Sequence, residues 1–149
     1  MEYNISTLLD GLAEALSPLG YDVYISNRQQ GVTTPCFFIS MMPSSSRKEL
    51  GRTYFQELAL DVVFLQDPNI INATDGIFEV IQFMDENLEL VPYKPSENEA
   101  TVVHTYDRNY QLQEFDLHYH LTFKNRVYIA DNDPLMNSLE VSYEIKVKA

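Results

Sequence analysis

Residues 111–124 read QLQEFDLHYHLTFK, and from residue 114 onward apolar and polar side chains alternate. The apolar positions of this run are Phe115, Leu117, Tyr119, Leu121 and Phe123. A period of two over this length is typical of a β-strand with one buried and one open face. A slip by one residue would expose these five large side chains, so the register is well defined. The pattern predicts a long strand at or near the middle of an antiparallel sheet.

The rest of the chain predicts two helices and several shorter strands. One helix is predicted over 4–16, with Asn4 as its N-cap, and a second over 67–87, where Asp67 caps and Pro68 starts the helix. A polar loop is predicted over 92–98, and Asp107-Arg108-Asn109 is predicted as the turn into the long strand. The further strands are predicted over 21–25, 36–42, 54–65, 88–91, 100–106 and 139–148. The predicted fold is α+β: one domain over 1–149, with a mostly antiparallel sheet, two helices packed on one side and a β-hairpin extension.

The composition excludes several classes of protein. The 149 residues carry 10 Lys and Arg against 22 Asp and Glu, a formal net charge of −12. Such a surface repels nucleic acid and anionic membranes, so we expect neither non-specific DNA binding nor membrane association. No run of apolar residues approaches the ~18 that a membrane span requires. The hydrophobic content of 45% is too high for a disordered chain.

No arrangement of residues in the sequence predicts an active site. There is no paired nucleophile and base, no glycine-rich phosphate loop and no zinc-binding spacing. The single cysteine, Cys36, lies in an apolar run without cationic neighbours, so it is expected to be a small buried hydrophobe. We therefore expect no catalytic residue, no cofactor and no enzymatic activity.

Two histidines of the long strand raise the question of a metal site. His118 and His120 are two residues apart and so lie on one face of the strand, and His104 is a candidate third ligand. Surface histidines of this kind are more often free of metal, and no cysteine or clear carboxylate partner accompanies them in the sequence. The expectation from the sequence is that no metal is bound.

Charge is concentrated in two segments of opposite sign. Arg47, Lys48 and Arg52 form the densest positive cluster, at the predicted tip of a hairpin made by 36–42 and 54–65. Residues 75–99 contain a single base, Lys94, and seven acids: Asp75, Glu79, Asp85, Glu86, Glu89, Glu97 and Glu99. A solvated helix face does not raise the pKa of a carboxyl as a catalytic acid requires, so these acids indicate a surface and not an active site.

Several short motifs resemble those of one protein family. They are Gln30-Gly31, the strand Pro35-Cys36-Phe37-Phe38-Ile39, the segment Gly51-Arg52-Thr53-Tyr54 leading into Asp61-Val62, and the Asp-Pro-Leu-Met run at 133–136. This pattern is similar to the tail terminator-like proteins of tailed bacteriophages, above all those of phages and prophages of Gram-positive bacteria. The chain departs from the family before the long strand, where 110–113 replace a Gly-Val-Leu-His-type turn.

The resemblance implies a structural role in the phage tail. It implies a ring, usually of six copies, that caps the head-proximal end of the tail tube, stops its growth and forms the surface for head attachment. The implied partners are other copies of the chain, the tail tube protein, a head–tail connector or neck protein and, as a further candidate, the sheath protein. DNA is expected to pass through the lumen without specific binding. The implied location is the virion tail, after assembly in the host cytoplasm.

A closed ring uses heterologous contacts, so each subunit needs two different complementary patches. The candidate interface residues are Arg47, Lys48, Arg52, Tyr54, Asp85, Glu86 and Glu89. Two alternatives remain open on the sequence alone. One is a tail-completion, neck or baseplate adaptor of related fold, and the other is a small enzyme.

Overall fold

The computed structural model describes residues 3–25 and 33–129, which form two α-helices, one short 3-10 helix (Ser17–Leu19) and seven strands. The helices are α1 (Ile5–Leu16) and α2 (Ala73–Asn87). The strands are β1 (Asp22–Ile25), β2 (Cys36–Met41), β3 (Ser45–Lys48), β4 (Thr53–Leu65), β5 (Leu90–Ser96), β6 (Glu99–Gln113) and β7 (Asp116–Tyr128). The predicted α+β class is confirmed.

The strands form one sheet in the order β1-β2-β4-β7-β6-β5, and β3 pairs with the first part of β4. All of these pairings are antiparallel except that of β1 with β2. Side chains from α1 and α2 share one buried cluster with the inner faces of β4 and β7. Two helices on one side of a mostly antiparallel sheet were predicted, and this arrangement is confirmed.

Strand β7 lies inside the sheet between β4 and β6, as its alternating sequence predicts. Its inner face is fully buried at Leu117, Tyr119, Leu121 and Phe123. The strand begins at Asp116, so residues 111–113 belong to β6 and Phe115 lies in the turn between the two strands. Phe115 is partly buried and still packs against the core.

The predicted turn at 107–109 is wrong, because these residues form a β-bulge within one long strand. The register of β6 against β7 shifts between Tyr106 and Asn109, and Asp107 has a φ of 54°. The actual turn into β7 is at 114–115, where Glu114 has a φ of 56°. Asp and Asn tolerate the left-handed backbone conformation, which occurs both in turns and in β-bulges. The residues at 107–109 alone therefore do not distinguish a turn from a bulge.

The predicted loop at 92–98 is also wrong, since β5 continues to Ser96 and only two residues turn before β6. The segment contains Pro92 and Pro95. Strand β5 stands at the end of the strand order, however, where a proline removes no required ladder hydrogen bond.

Helix α1 follows the prediction closely. The Asn4 side chain caps it by accepting hydrogen bonds from the backbone of Ser6 at 2.7 Å and Thr7 at 3.3 Å. The helix packs on β5 at Gly11, where an added Cβ would lie 1.8 Å from the carbonyl oxygen of Pro92. A glycine is therefore required there for the helix to approach the strand.

Helix α2 ends at Asn87 as predicted but begins at Ala73 and not at Asp67-Pro68. Asp67 instead accepts a hydrogen bond from the backbone of Asn69 at 2.9 Å, a local turn that competes with helix formation. The buried Gln66 side chain donates to the Ala73 carbonyl at 3.0 Å, which fixes the start of the helix. Gly76 leaves room for this side chain, because a Cβ there would lie 2.6 Å from Gln66 Nε2.

The buried face of α2 is narrower than the apolar residues of this segment indicate. Its buried positions are Ala73, Ile77, Val80 and Met84. Ile70 and Phe78 keep helical spacing with these apolar residues, but they are 44% and 54% exposed. The helix therefore leaves a large aromatic side chain on the surface.

The predicted hairpin of β2 and β4 is confirmed, and β3 extends it. An apolar residue at the start of β4 does not face the core: Phe55 is on the open side of the strand, and the buried Gln56 takes the inner position. The hydroxyl of Tyr3 donates a hydrogen bond to Gln56, which satisfies this buried amide. Phe55 is held instead by two arginines described below.

Some predictions fall outside the described residues, namely the Gln30-Gly31 turn, the Asp133-Pro134 segment and the strand over 139–148. Within the described part of the chain, no helix is long and apolar enough to span a membrane.

Leu121 tests the assignment of the core. It is 1% exposed, so Leu121→Ala should lower the free energy of unfolding by about 2–5 kcal/mol through lost burial and a residual cavity. The control is Leu50→Ala, the same change at a leucine that is 96% exposed, and it should alter stability by less than about 0.5 kcal/mol. Urea denaturation measures both variants, and equal values would contradict the core assignment.

Candidate functional site

The first candidate surface is the hairpin of β3 and the start of β4, residues 45–54, here called the basic hairpin. Arg47 and Lys48 lie on β3, and every residue of that strand is exposed. The guanidinium of Arg47 lies 5.3 Å from the ring centre of Phe55, and that of Arg126 lies 5.6 Å from it. These cation–π contacts hold the exposed Arg47 side chain against the Phe55 ring.

The tip of the basic hairpin is tied to the end of β7. Glu49 accepts two hydrogen bonds from Arg126, at 2.6 Å from Nε and 3.1 Å from Nη2. This bidentate contact holds the pKa of Glu49 below its usual range. The backbone of Ile129 also donates to the Arg52 carbonyl at 2.7 Å. Arg52 is thus half-buried at the base of the tip, whereas Leu50 at the tip is 96% exposed.

The second candidate surface is a groove of about 380 Å³ between α2 and β6, here called the acidic groove. It is lined by Phe78, Ile81, Gln82, Asp85, Glu86 and Tyr110. Phe78 is 54% exposed and Tyr110 is 49% exposed, so the groove presents aromatic rings beside two carboxylates. Aromatic rings with polar neighbours are a common composition for a protein-binding surface.

The β-bulge of β6 places Tyr110 in this groove. Thr105, before the bulge, faces the core opposite Phe123, and after the extra residue Tyr110 faces the same side opposite Tyr119. The rings of Tyr110 and Tyr119 are stacked, with centres 5.9 Å apart and planes 7° apart. Without the bulge, the alternation would turn Tyr110 to the open face of the sheet.

Buried hydrogen bonds fix the floor of the groove. The Tyr119 hydroxyl donates to Asp85 at 2.8 Å, and burial and then this carboxylate raise the pKa of Tyr119 above its usual value. The buried Thr105 hydroxyl donates to the Leu88 carbonyl at 2.6 Å, which links β6 to the end of α2. Arg108 in turn donates to the Thr105 hydroxyl at 3.1 Å. The hydrogen bond from Tyr119 therefore holds the Asp85 carboxylate in a fixed position in the groove.

The candidate interface residues predicted from the sequence fall into four environments. Arg47 and Lys48 are exposed on the basic hairpin, and Asp85 and Glu86 line the acidic groove. Glu89 lies outside the groove, 3.2 Å from His104 Nε2. Tyr54 is half-buried and lies on the helix side of β4, and Arg52 is half-buried as described.

The two surfaces lie at different positions along β7. The basic hairpin is anchored at Arg126 and the acidic groove at Tyr119, which are roughly 23 Å apart at the rise of an extended strand. A single subunit therefore presents them as separate patches.

A third arrangement lies on the open face of the sheet. Asp61 of β4 stands directly opposite His120 of β7 in the register and diagonal to His118. Its Oδ2 is 2.9 Å from His118 Nδ1, and its Oδ1 is 3.5 Å from His120 Nε2. The sequence analysis named His104 as the candidate third ligand and found no carboxylate partner for the two histidines, and both points were wrong. Asp61 is the third residue beside His118 and His120. His104 pairs with Glu89 instead. We call Asp61, His118 and His120 the histidine cluster.

Cys36 is fully buried on β2, as predicted from its apolar run. Burial raises the pKa of its thiol, so the reactive thiolate is disfavoured. This cysteine therefore packs as a hydrophobe.

The chain matches one family model along most of its length. The model is described as phage tail terminator protein, and it matches residues 7–136. No curated protein shows significant similarity to the chain.

Tyr119→Phe tests the floor of the acidic groove. Loss of the hydroxyl should lower the free energy of unfolding by about 0.5–1.5 kcal/mol at neutral pH, since one hydrogen bond to Asp85 is removed. The raised pKa means that the folded chain keeps this proton at a pH where the unfolded chain releases it, above about 10. Wild-type stability should therefore fall as pH rises past that value, and the variant should fall less steeply.

Chemical denaturation at neutral and alkaline pH measures both effects. Tyr110→Phe is the matched control, because it removes a hydroxyl from the exposed ring of the same stacked pair. Equal stability and equal alkaline slopes for wild type and Tyr119→Phe would contradict the role of this hydrogen bond.

Proposed function

The chain belongs to the phage tail terminator family, and from this premise we propose that six copies close into a ring that caps the head-proximal end of the tail tube. The ring stops tube growth and forms the surface to which the filled head attaches. The observation that carries the proposal is the family match over most of the chain. The role is structural, in the tail of the virion.

Ring closure requires two different patches that are complementary to each other. The basic hairpin and the acidic groove meet this requirement in charge, with Arg47 and Lys48 on one and Asp85 and Glu86 on the other. They lie at different positions along β7, so one subunit can contact a neighbour on each side. We propose that the basic hairpin reaches the acidic groove of the next subunit or the end of the tube.

The same two patches also carry exposed apolar side chains. Leu50 at the tip is 96% exposed, and Phe78 in the groove is 54% exposed. Complete burial of one such side chain contributes about 1.5–3 kcal/mol. The exposed charges steer and register the subunits, whereas the apolar contacts supply most of the affinity.

The acidity of the chain suits a ring around a DNA channel. Each copy carries a formal net charge of −12, so a ring of copies repels a polyanion at its surface. DNA then passes through the lumen without being retained. The negative charge disfavours non-specific DNA binding, so protein contacts are the basis of assembly in this proposal.

The remaining parts of the proposal concern partners and place. The ring contacts the tail tube protein on one side and a head–tail connector or neck protein on the other, with the sheath protein as a further candidate. Assembly takes place in the host cytoplasm. Residues 1–149 act as one tail terminator domain without a catalytic site or cofactor.

Charge reversal on the basic hairpin tests the interface. Arg47→Glu together with Lys48→Glu should leave the monomer folded, since both residues are exposed, but abolish ring formation or binding to the tube. A triple variant that also carries Arg52→Glu should likewise fail to form rings and to bind the tube. Phage carrying the variants should yield tails of abnormal length without heads, as measured by electron microscopy of the tail-length distribution.

Lys94→Glu is the matched control, because Lys94 is an exposed lysine whose partner is Glu14 at 2.8 Å, outside both surfaces. Reversing Glu86 to Lys in the double variant should restore part of the assembly if the hairpin meets the groove. Normal infectious particles from the double variant would remove the basic hairpin from the mechanism.

Deletion of the whole chain tests the terminator role itself. Without a cap, tube growth has no stop, so tails of abnormal length and unattached filled heads are expected in electron micrographs. Tails of normal length would contradict the terminator role. Density for the chain at the neck or the baseplate of wild-type particles would assign it instead to an adaptor.

A further inference from the structure

The histidine cluster brings three metal-ligating side chains together on the open face of the sheet. Asp61 Oδ2 lies 2.9 Å from His118 Nδ1, and Asp61 Oδ1 lies 3.5 Å from His120 Nε2. One ligand atom from each residue lies within 4.8 Å of the other two. In a tetrahedral zinc site with bonds of about 2.0 Å, the ligand atoms are about 3.3 Å apart, close to these spacings.

A second observation concerns the hydrogen bonding of Asp61. Its Oδ1 is buried and accepts no hydrogen bond within the described part of the chain, since His120 Nε2 at 3.5 Å lacks hydrogen-bond geometry. The Asp61 side chain is only 16% exposed, so solvent gives this oxygen little compensation. A buried carboxylate oxygen without a hydrogen bond is costly, and a bound cation would satisfy it.

The cluster is also built on a rigid part of the fold. Strands β4 and β7 pair without interruption on both sides of Asp61, and α1 and α2 pack on the opposite face of the sheet. The side chains of His118 and His120 are 30% and 29% exposed, which leaves an approach for an ion. Ligands on rigid central strands lose little entropy when they coordinate an ion.

We propose that Asp61, His118 and His120 bind one divalent transition-metal ion, with Zn²⁺ as the best fit, and that water occupies the fourth position. Two imidazoles and one carboxylate suit zinc and related ions better than Mg²⁺, which prefers oxygen ligands throughout. The ion links β4 to β7 and so stabilises the folded chain. This proposal revises the expectation from the sequence, and it does not rest on the proposed role in the tail.

Metal titration of the full chain tests the proposal. The chain is purified without a histidine tag, stripped with EDTA and titrated with Zn²⁺ by calorimetry, and with Co²⁺ by its visible absorption. One equivalent of each ion should bind, Mg²⁺ should not compete, and Zn²⁺ should raise the unfolding temperature. In NMR spectra, Zn²⁺ should shift the ring signals of His118 and His120 and leave those of His104 unchanged.

Matched variants assign the ligands. Asp61→Asn keeps the size of the side chain and should weaken Zn²⁺ binding more than about 100-fold, which exceeds the cost of losing an outer-shell partner. His118→Gln together with His120→Gln should abolish it. His104→Gln is the control and should bind as wild type does, because His104 pairs with Glu89.

Two results would overturn the proposal. One is the absence of stoichiometric Zn²⁺ binding to the wild-type chain, which would leave the cluster as an ion pair only. The other is unchanged binding in the double glutamine variant. The NMR shifts of the wild-type chain decide the question without any variant, so a variant that fails to fold does not prevent a result.

Discussion

The unbroken antiparallel pairing of β4 with β7 is the constraint on which the rest of the structure depends. Its register runs from Thr53 opposite Tyr128 to Leu65 opposite Asp116 without a shift. The inner face of this pair supplies the core on which both helices pack, and the outer face carries the histidine cluster. One end holds the basic hairpin through Glu49 and Arg126. A slip of one residue would disrupt all three at once, because it exchanges the two faces of a strand.

Features that depend on local sequence could be predicted, and those that depend on distant contacts could not. The alternation of β7 depends on which of its own side chains are buried, and the Asn4 cap of α1 depends on hydrogen bonds to residues two and three positions along. Both features were therefore predicted correctly. The start of α2 is set by the buried Gln66 side chain, whose geometry is not visible in a helical pattern. The bulge of β6 and the outward face of Phe55 are likewise decided by neighbouring strands and by two arginines.

The candidate sites show the same division. The sequence identified the charged residues and the paired histidines, but it placed His104 beside them where the structure has Asp61. Asp61 and His118 are 57 residues apart, and only the register of β4 against β7 brings them together. A partial signal was available, since the alternation of the two long stretches places Asp61, His118 and His120 on the polar faces of their strands, but it does not fix the register between them. The bond from Tyr119 to Asp85 had no comparable signal, because it joins a buried strand to a helix.

The bulge in β6 has a consequence for how this surface can change between related chains. It places one extra residue in the strand at 107–108, and beyond it Tyr110 stands opposite Tyr119. The loss of a single codon there would remove the extra residue and leave this pairing, and so the groove, unchanged. A substitution that straightens the strand without removing a residue would instead shift the register by one and turn Asn109 and Gln111 toward the groove. Binding specificity could thus diverge in one substitution at the bulge, whereas a deletion there would preserve it.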